Sequence, residues 1–314
     1  MVSATSLWHI NKDSSALRFE VYTFDQDKIL LRSLYSLISI GTERIVATGK
    51  VPVNLYSQMS VPYMAGNFEF PVKYGYSLIA VDNEGKKYHV MHPHQTSILV
   101  NREDLCILPD DLSPKRAALI SNLETACNGY WDGAPEMNEK ILIVGFGLIG
   151  ALTAVWIKLK GHRMVSVLES NSHRRKLAMN LGFNVIDESG SGKFDLLYNT
   201  TSSSSGLQFC IDRANLEGRI IELSWYGART VTLNLGESFH VHRLSIKSSQ
   251  VSHIPVKMQG KWSIESRKQE VIKMLDADIW DDLLEAETSL EDSVHLFDKI
   301  RSGPIDPLSL IIKY

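Results

Sequence analysis

Three cysteines in 314 residues, at positions 106, 127 and 210 with no paired spacing, leave no material for a disulfide framework or a four-cysteine zinc knot. Basic surplus is missing too. Lys plus Arg number 33 against 36 Asp plus Glu, a balance of −3, so no cationic face is expected for nucleic acid. The opening MVSATSLWHINKD has no basic stretch followed by an apolar core, so no signal peptide is expected. Together with the few cysteines, this points to the reducing cytoplasm. Hydrophobic residues at 44% and charged ones at 22% are ordinary for a globular protein, and the length suggests about two domains.

One apolar run is long enough to test for a membrane span. Ile141–Ile157 (ILIVGFGLIGALTAVWI) holds 17 uncharged residues between Lys140 and Lys158, the lower edge of what a bilayer requires. It divides better into a buried β-branched strand, a glycine turn and a buried helix, because three glycines recur at fixed offsets.

Upstream of residue 118 the chain reads as short strands between turns: Phe19–Phe24, Lys28–Tyr35, Tyr76–Val81 and His89–His92, with Asn83-Glu84-Gly85 as one of the turns. Few helical periods intervene. From Ser113, a cap ahead of Pro114, helix and strand alternate. Strands are expected at 141–144, 164–168, 184–186, 196–198 and 219–223, with helices after Gly147 and over 172–181. That alternation predicts an α/β fold, a doubly wound parallel sheet beside a mainly β domain. Helices at 267–275 and 290–300 and a strand at 308–313 return to mixed structure.

Gly145-Phe146-Gly147-Leu148-Ile149-Gly150 fits the G-x-G-x-x-G turn. Its glycines serve a tight turn, close approach of a pyrophosphate and helix-on-strand packing, while the helix amino end offers N–H groups to phosphate. The next strand ends in Glu169, nineteen residues beyond Gly150, where a carboxylate would hold the adenosine ribose hydroxyls. Its charge opposes a 2′-phosphate, so NAD is favoured over NADP, although Arg174 and Arg175 could pair with such a phosphate.

Further motifs carry a resemblance over nearly the whole chain. Ile40-Gly41-Thr42-Glu43, Tyr74-Gly75-Tyr76-Ser77, His92-Pro93-His94-Gln95, Asn122-Leu123-Glu124-Thr125-Ala126 and Glu222-Leu223-Ser224-Trp225-Tyr226-Gly227 resemble the medium-chain dehydrogenase/reductase superfamily. Within it they are similar to a bacterial group labelled zinc-type alcohol dehydrogenase-like, itself similar to the bacteriochlorophyllide hydroxyethyl dehydrogenases. The resemblance implies a Rossmann domain at 121–252 and a GroES-like catalytic domain at 1–120 and 253–314.

It also locates three zinc-ligand positions, held here by Ile40, Tyr76 and Ser121. Isoleucine offers no donor and neutral tyrosine and serine are poor ligands, so no catalytic zinc is expected. Two H-x-H pairs, His92/His94 and His240/His242, would each put both rings on one face of a strand and form a metal half-site.

Without zinc, a carbonyl or alcohol must be polarised by donors or a protonating side chain. By the resemblance Tyr76 faces the cleft beside the nicotinamide and Thr42 matches the hydroxyl that begins a proton relay; His94 and Glu124 are further candidates. Cofactor contacts are expected from the glycine turn, Glu169, Arg174, Thr125, Thr200, Thr201, Ser224 and Trp225, with Trp225 and Tyr226 able to wall an apolar pocket. Glu237, His240 and Arg243 are read as a polar cluster before a strand at 248–250, which in the superfamily often pairs across a two-fold axis, so a homodimer is expected. The function implied is hydride transfer between NAD(H) and an alcohol/carbonyl pair. Reduction of an enone or quinone double bond, or dinucleotide binding without turnover, are the alternatives.

Overall fold

Ile141–Val144 is four β-branched or leucine residues without a polar break, and a strand of that composition is stable only when covered on both faces. In the computed structural model, which describes residues 1–314, all four side chains are buried. The strand lies third in a six-stranded parallel sheet ordered 184–186, 165–168, 141–144, 194–199, 214–222, 245–248. The direction of strand order reverses beside Ile141–Val144, so the carboxyl end of this strand is the switch point at which such sheets bind ligands. The helix Leu148–Leu159 follows at once, nine of its residues buried. The apolar run of 17 residues is therefore strand, turn and helix, and no helix of the chain is long and apolar enough to cross a membrane.

The chain folds as two units, Asn122–Lys273 and Met1–Ser121 with Met274–Tyr314. The domain boundary expected at residue 252 lies twenty-one residues later. The helix Ile264–Met274 carries Arg267, whose guanidinium reaches Glu124, Asn128 and the Val251 carbonyl, and Trp262 packs on Trp131. These contacts bind 253–273 into the nucleotide-fold unit.

The other unit is built on a four-stranded antiparallel sheet and a seven-stranded mixed one. The strand Leu310–Lys313, from the end of the chain, pairs with Ile29–Ile38 from its beginning. Strands expected near 19–24 and 28–35 are Ser14–Tyr22 and Ile29–Ile38. Ser113 caps the Pro114 turn by accepting from the Arg116 N–H. The expected strand-and-turn pattern is broken by short helical turns at Val53–Leu55, Tyr56–Met59 and Arg102–Asp104 and, at greater length, by Ile40–Ala47, which is a helix. The motif Ile-Gly-Thr-Glu supplies its first turn, where the Glu43 carboxylate complements the helix dipole.

Candidate functional site

In the nucleotide-fold unit the site is the turn after Ile141–Val144. Gly145 has φ +92°, a conformation that disfavours any side chain. A Cβ on Gly150 would lie 2.0 Å from the Gly145 carbonyl oxygen, so helix and strand touch through backbone alone. Gly147 is different. Its ordinary φ of −71° would accept a side chain, and a Cβ there would meet only the Arg174 Nη1 at 3.8 Å. This is a backbone left uncovered at a helix amino end whose N-cap side chain supplies no acceptor, the condition for an external anion.

Glu169 stands at the end of the neighbouring strand, almost wholly buried. One carboxylate oxygen accepts the Phe146 N–H at 2.6 Å; the other accepts the N–H groups of Ser170 and Asn171 at 2.7 and 2.8 Å. The acid thus braces the glycine turn while retaining lone pairs for a further donor.

Arg175 bonds the Glu169 and Ile186 carbonyls and the Asp187 carboxylate, which spends three of its five N–H donors within the fold. Thr200 Oγ1 donates to the Gly145 carbonyl at 2.8 Å and Thr201 Oγ1 to Asn199 Oδ1 at 2.8 Å, so both hydroxyls knit the loop around the turn. Ser224 accepts the Ser202 N–H at 3.0 Å, and Trp225 is half-buried. Thr125 sits on the helix Ile120–Gly133, and Leu148 and Ile149 open the helix after the turn.

In the other unit the strand Ile29–Ile38 runs into the helix Ile40–Ala47. Glu43 is fully buried, and its Oε1 accepts the N–H of the N-cap residue Ser39 at 2.7 Å. Its Oε2 lies 2.9 Å from His94 Nε2, while His94 Nδ1 lies 2.7 Å from Ser36 Oγ. Ser36 in turn meets the Tyr314 hydroxyl at 2.8 Å. The half-buried Tyr76 phenol bonds the side chains of Ser39 and Thr42. Its pKa is pushed up to about 12, first by burial and then by the nearby Glu43 charge, against the lowering effect of those two hydroxyls. It is a protonated donor across the whole neutral range.

Tyr76 and Thr42 are therefore together, and His94 joins them through Glu43. Both ring nitrogens of His94 have partners inside the protein, and one of them braces Glu43. Glu124 belongs to the nucleotide-fold unit, where burial raises its pKa and Arg267 pairs with it at 3.2 Å. Glu43 and Ser36 carry no role in the sequence reading. Glu43 lies inside a motif that the sequence does display, whereas Ser36 is an unremarkable strand serine.

The three positions that the resemblance implies for zinc ligands are placed as follows. Ile40 has no donor atom, the Tyr76 phenol is held protonated, and Ser121 Oγ donates to the Tyr76 carbonyl at 2.8 Å. Neither H-x-H pair lies on a strand, contrary to expectation. His92 and His94 fall in an irregular segment with separate partners, and His240 lies within a short helix at 238–241 that His242 caps. No group of three or more His, Cys, Asp or Glu side chains is poised around a common point. Arg243 pairs with Glu217, not Glu237, and the strand expected at 248–250 is Ser245–Ser248, exposed along its length at the sheet edge.

The chain is mixed α/β, with a Rossmann-type parallel sheet in one unit and GroES-like β sheets in the other. The chain resembles an uncharacterized zinc-type alcohol dehydrogenase-like protein, YphC, of Escherichia coli, at 22% identity over 165 residues, 48% of this chain and 47% of that one. The 2-dehydro-3-deoxy-L-galactonate 5-dehydrogenase of Pseudoalteromonas atlantica is 27% identical over 139 residues, 40% of each chain. The chain thus spans about half the length, or less, of the curated relatives it matches. Among solved structures, acetophenone reductase from Geotrichum candidum in complex with NAD superposes with a TM-score of 0.75 at 15% identity, covering 99% of this chain and 97% of that one. No protein-family model matches the chain.

Proposed function

We propose that this protein is an NAD(H)-dependent oxidoreductase that interconverts an alcohol and a carbonyl without a catalytic metal. The observation that carries the reading is the uncovered backbone at Gly147 between the tight Gly145 turn and the Gly150 contact. A dinucleotide pyrophosphate fits such a cradle, because a helix amino end supplies both N–H donors and partial positive charge. When bound, the nicotinamide supplies the hydride acceptor or donor. Glu169 favours NAD, since its buried carboxylate can accept from ribose hydroxyls and repels a 2′-phosphate.

Tyr76 is the substrate-facing acid in this reading. Its phenol stays protonated at neutral pH, and its bonds to Ser39 and Thr42 orient it and connect it to a second hydroxyl through which a proton can pass. Glu43 and His94 hold the helix end that presents Thr42. The exposed edge strand Ser245–Ser248 supports a homodimer, as unpaired edges invite pairing. Three free cysteines suit a reducing cytoplasm.

The test is Tyr76→Phe, assayed for NADH consumption across a panel of ketones that the parent protein reduces. Removing a general acid costs on the order of 100-fold or more in kcat, with NADH affinity unchanged within about twofold. Equal turnover by the variant would remove Tyr76 from the reaction, and failure of the parent to bind NADH would remove the oxidoreductase reading.

A further inference from the structure

We propose that the GroES-like unit carries a second small-molecule site, a pocket beneath the Tyr22–Lys28 turn that takes a neutral, ring-sized, hydroxyl-bearing compound through His92. It goes beyond the dinucleotide reading and does not depend on it. The cavity measures about 720 Å³ and contains none of Tyr76, Thr42 or His94 in its wall, within the usual span of roughly 300–1,000 Å³ for small-molecule pockets.

Hydrogen-bond accounting sets the ligand class. Lys73 lines the pocket, but its ammonium is shared among Glu20 Oε2 at 2.9 Å, the Tyr22 hydroxyl at 2.9 Å and Gln95 Oε1 at 2.7 Å. An ammonium has three donors, so none remains. Gln95 Nε2 donates to the Ser97 carbonyl, and the Tyr63 hydroxyl donates to Asp104 while accepting the Asn101 N–H. Thr23 and Gln26 line the mouth from the exposed turn, and the buried wall residue with an unspent ring nitrogen is His92. It is 4% exposed, and its Nδ1 donates to the Pro93 carbonyl at 2.8 Å, which leaves Nε2 as a bare lone pair with no partner. Burial, reinforced by the charge of Lys73, lowers its pKa to about 3, so the ring is neutral at any physiological pH.

Shape and charge agree with this. Tyr63 stacks on the His92 ring at 5.1 Å between centroids and 26° between planes, and Tyr22, Phe24 and Leu99 add apolar wall. Lys73 is balanced by Glu20, and Lys28 at the rim by Asp25. A net-neutral, aromatic-walled pocket with one buried acceptor selects an uncharged ring that brings one O–H or N–H.

The probes are 2-naphthol and its methyl ether 2-methoxynaphthalene, which has the same ring and no donor. Their Kd values are measured by equilibrium dialysis on the full chain, with and without saturating NADH. The naphthol is expected to bind about tenfold or more tighter than the ether, with or without NADH and equally in Gly147→Ala protein. His92→Phe should bring naphthol down to the ether's affinity, and Leu99→Trp, which fills the cavity, should abolish binding of both. Equal affinities for the two probes in the parent protein, or a preference that survives His92→Phe, would overturn the proposal. Should His92→Phe fail to fold, naphthol binding retained in Leu99→Trp would overturn it and naphthol binding lost there would sustain it.

Discussion

Replacing Gly147 by alanine separates fold from ligand at the glycine turn. The backbone at Gly147 has φ −71° and ψ −179°, which alanine adopts without strain. The added methyl meets nothing closer than a flexible Arg174 nitrogen at 3.8 Å, an ordinary contact. The cost to the unliganded protein is then confined to the poorer N-cap, about 1 kcal/mol or less, or a fall in Tm of roughly 2–4 °C for a unit of this size. The cost to binding is larger, because the methyl occupies the space a pyrophosphate needs to reach the helix N–H groups. Loss of two hydrogen bonds to a charged group, each about 1.5–3 kcal/mol, weakens NADH by roughly 10²- to 10⁴-fold. Titration of NADH fluorescence, paired with thermal unfolding of the unliganded protein, reads both quantities. A folded Gly147→Ala protein that binds NADH within about threefold of the parent would refute the assignment of this turn to a phosphate.

The same substitution three residues on has the opposite balance: Gly150→Ala sets a methyl 2.0 Å from the Gly145 carbonyl oxygen, so it should lower Tm or prevent folding before any ligand is added, and a fully stable variant would contradict this packing. Glu169→Gln replaces one acceptor oxygen with a donor facing backbone N–H groups of Phe146 or of Ser170 and Asn171. A loss of about 1–3 kcal/mol in urea unfolding is expected, together with a narrower preference for NADH over NADPH; an unchanged cofactor ratio would count against the ribose role. Acid should destabilise the fold through two buried histidines. His9 and His92 each have a pKa lowered to about 3, mainly by burial, against an ordinary value of 6.5. The unfolded chain therefore binds more protons between those limits, so their stability contribution is complete above pH 6.5 and declines as pH falls toward 3. The slope is about 1.4 kcal/mol per pH unit for each histidine, and His9→Gln should reduce the total by about that amount in urea unfolding measured from pH 6.5 to 4.5. A flat profile in the parent would show that the rings are not held neutral.

Short-range patterns account for what was legible beforehand. The strand Ile141–Val144, its glycine turn and the acid at Glu169 are written in contiguous residues, because a parallel βαβ unit needs an apolar run, a turn and a second run in fixed order. The strand at 184–186 was likewise evident as a short β-branched run. The helix Ile40–Ala47 was not: a glycine, three β-branched aliphatic residues and a threonine weaken its local signal, and burial of Glu43, Ile45, Val46 and Ala47 outweighs propensity. The H-x-H pairs misled for a related reason, since an i, i+2 spacing places two rings on one face only if the segment is extended and regular.

The sequence by itself determined the class of fold, the nucleotide turn and the absence of donor atoms at Ile40, all of which depend on residue identity and local order. Only the tertiary structure decided what the candidate side chains do. His94 became a brace because Ser36 and Glu43 converge on it from 58 and 51 positions away, Glu124 became the partner of an arginine because Arg267 lies 143 positions on, and His92 kept a free lone pair. The physical reason is that a polar side chain's role is set by which hydrogen-bond partners remain unspent after burial, and those partners come from remote strands that only the folded chain brings together.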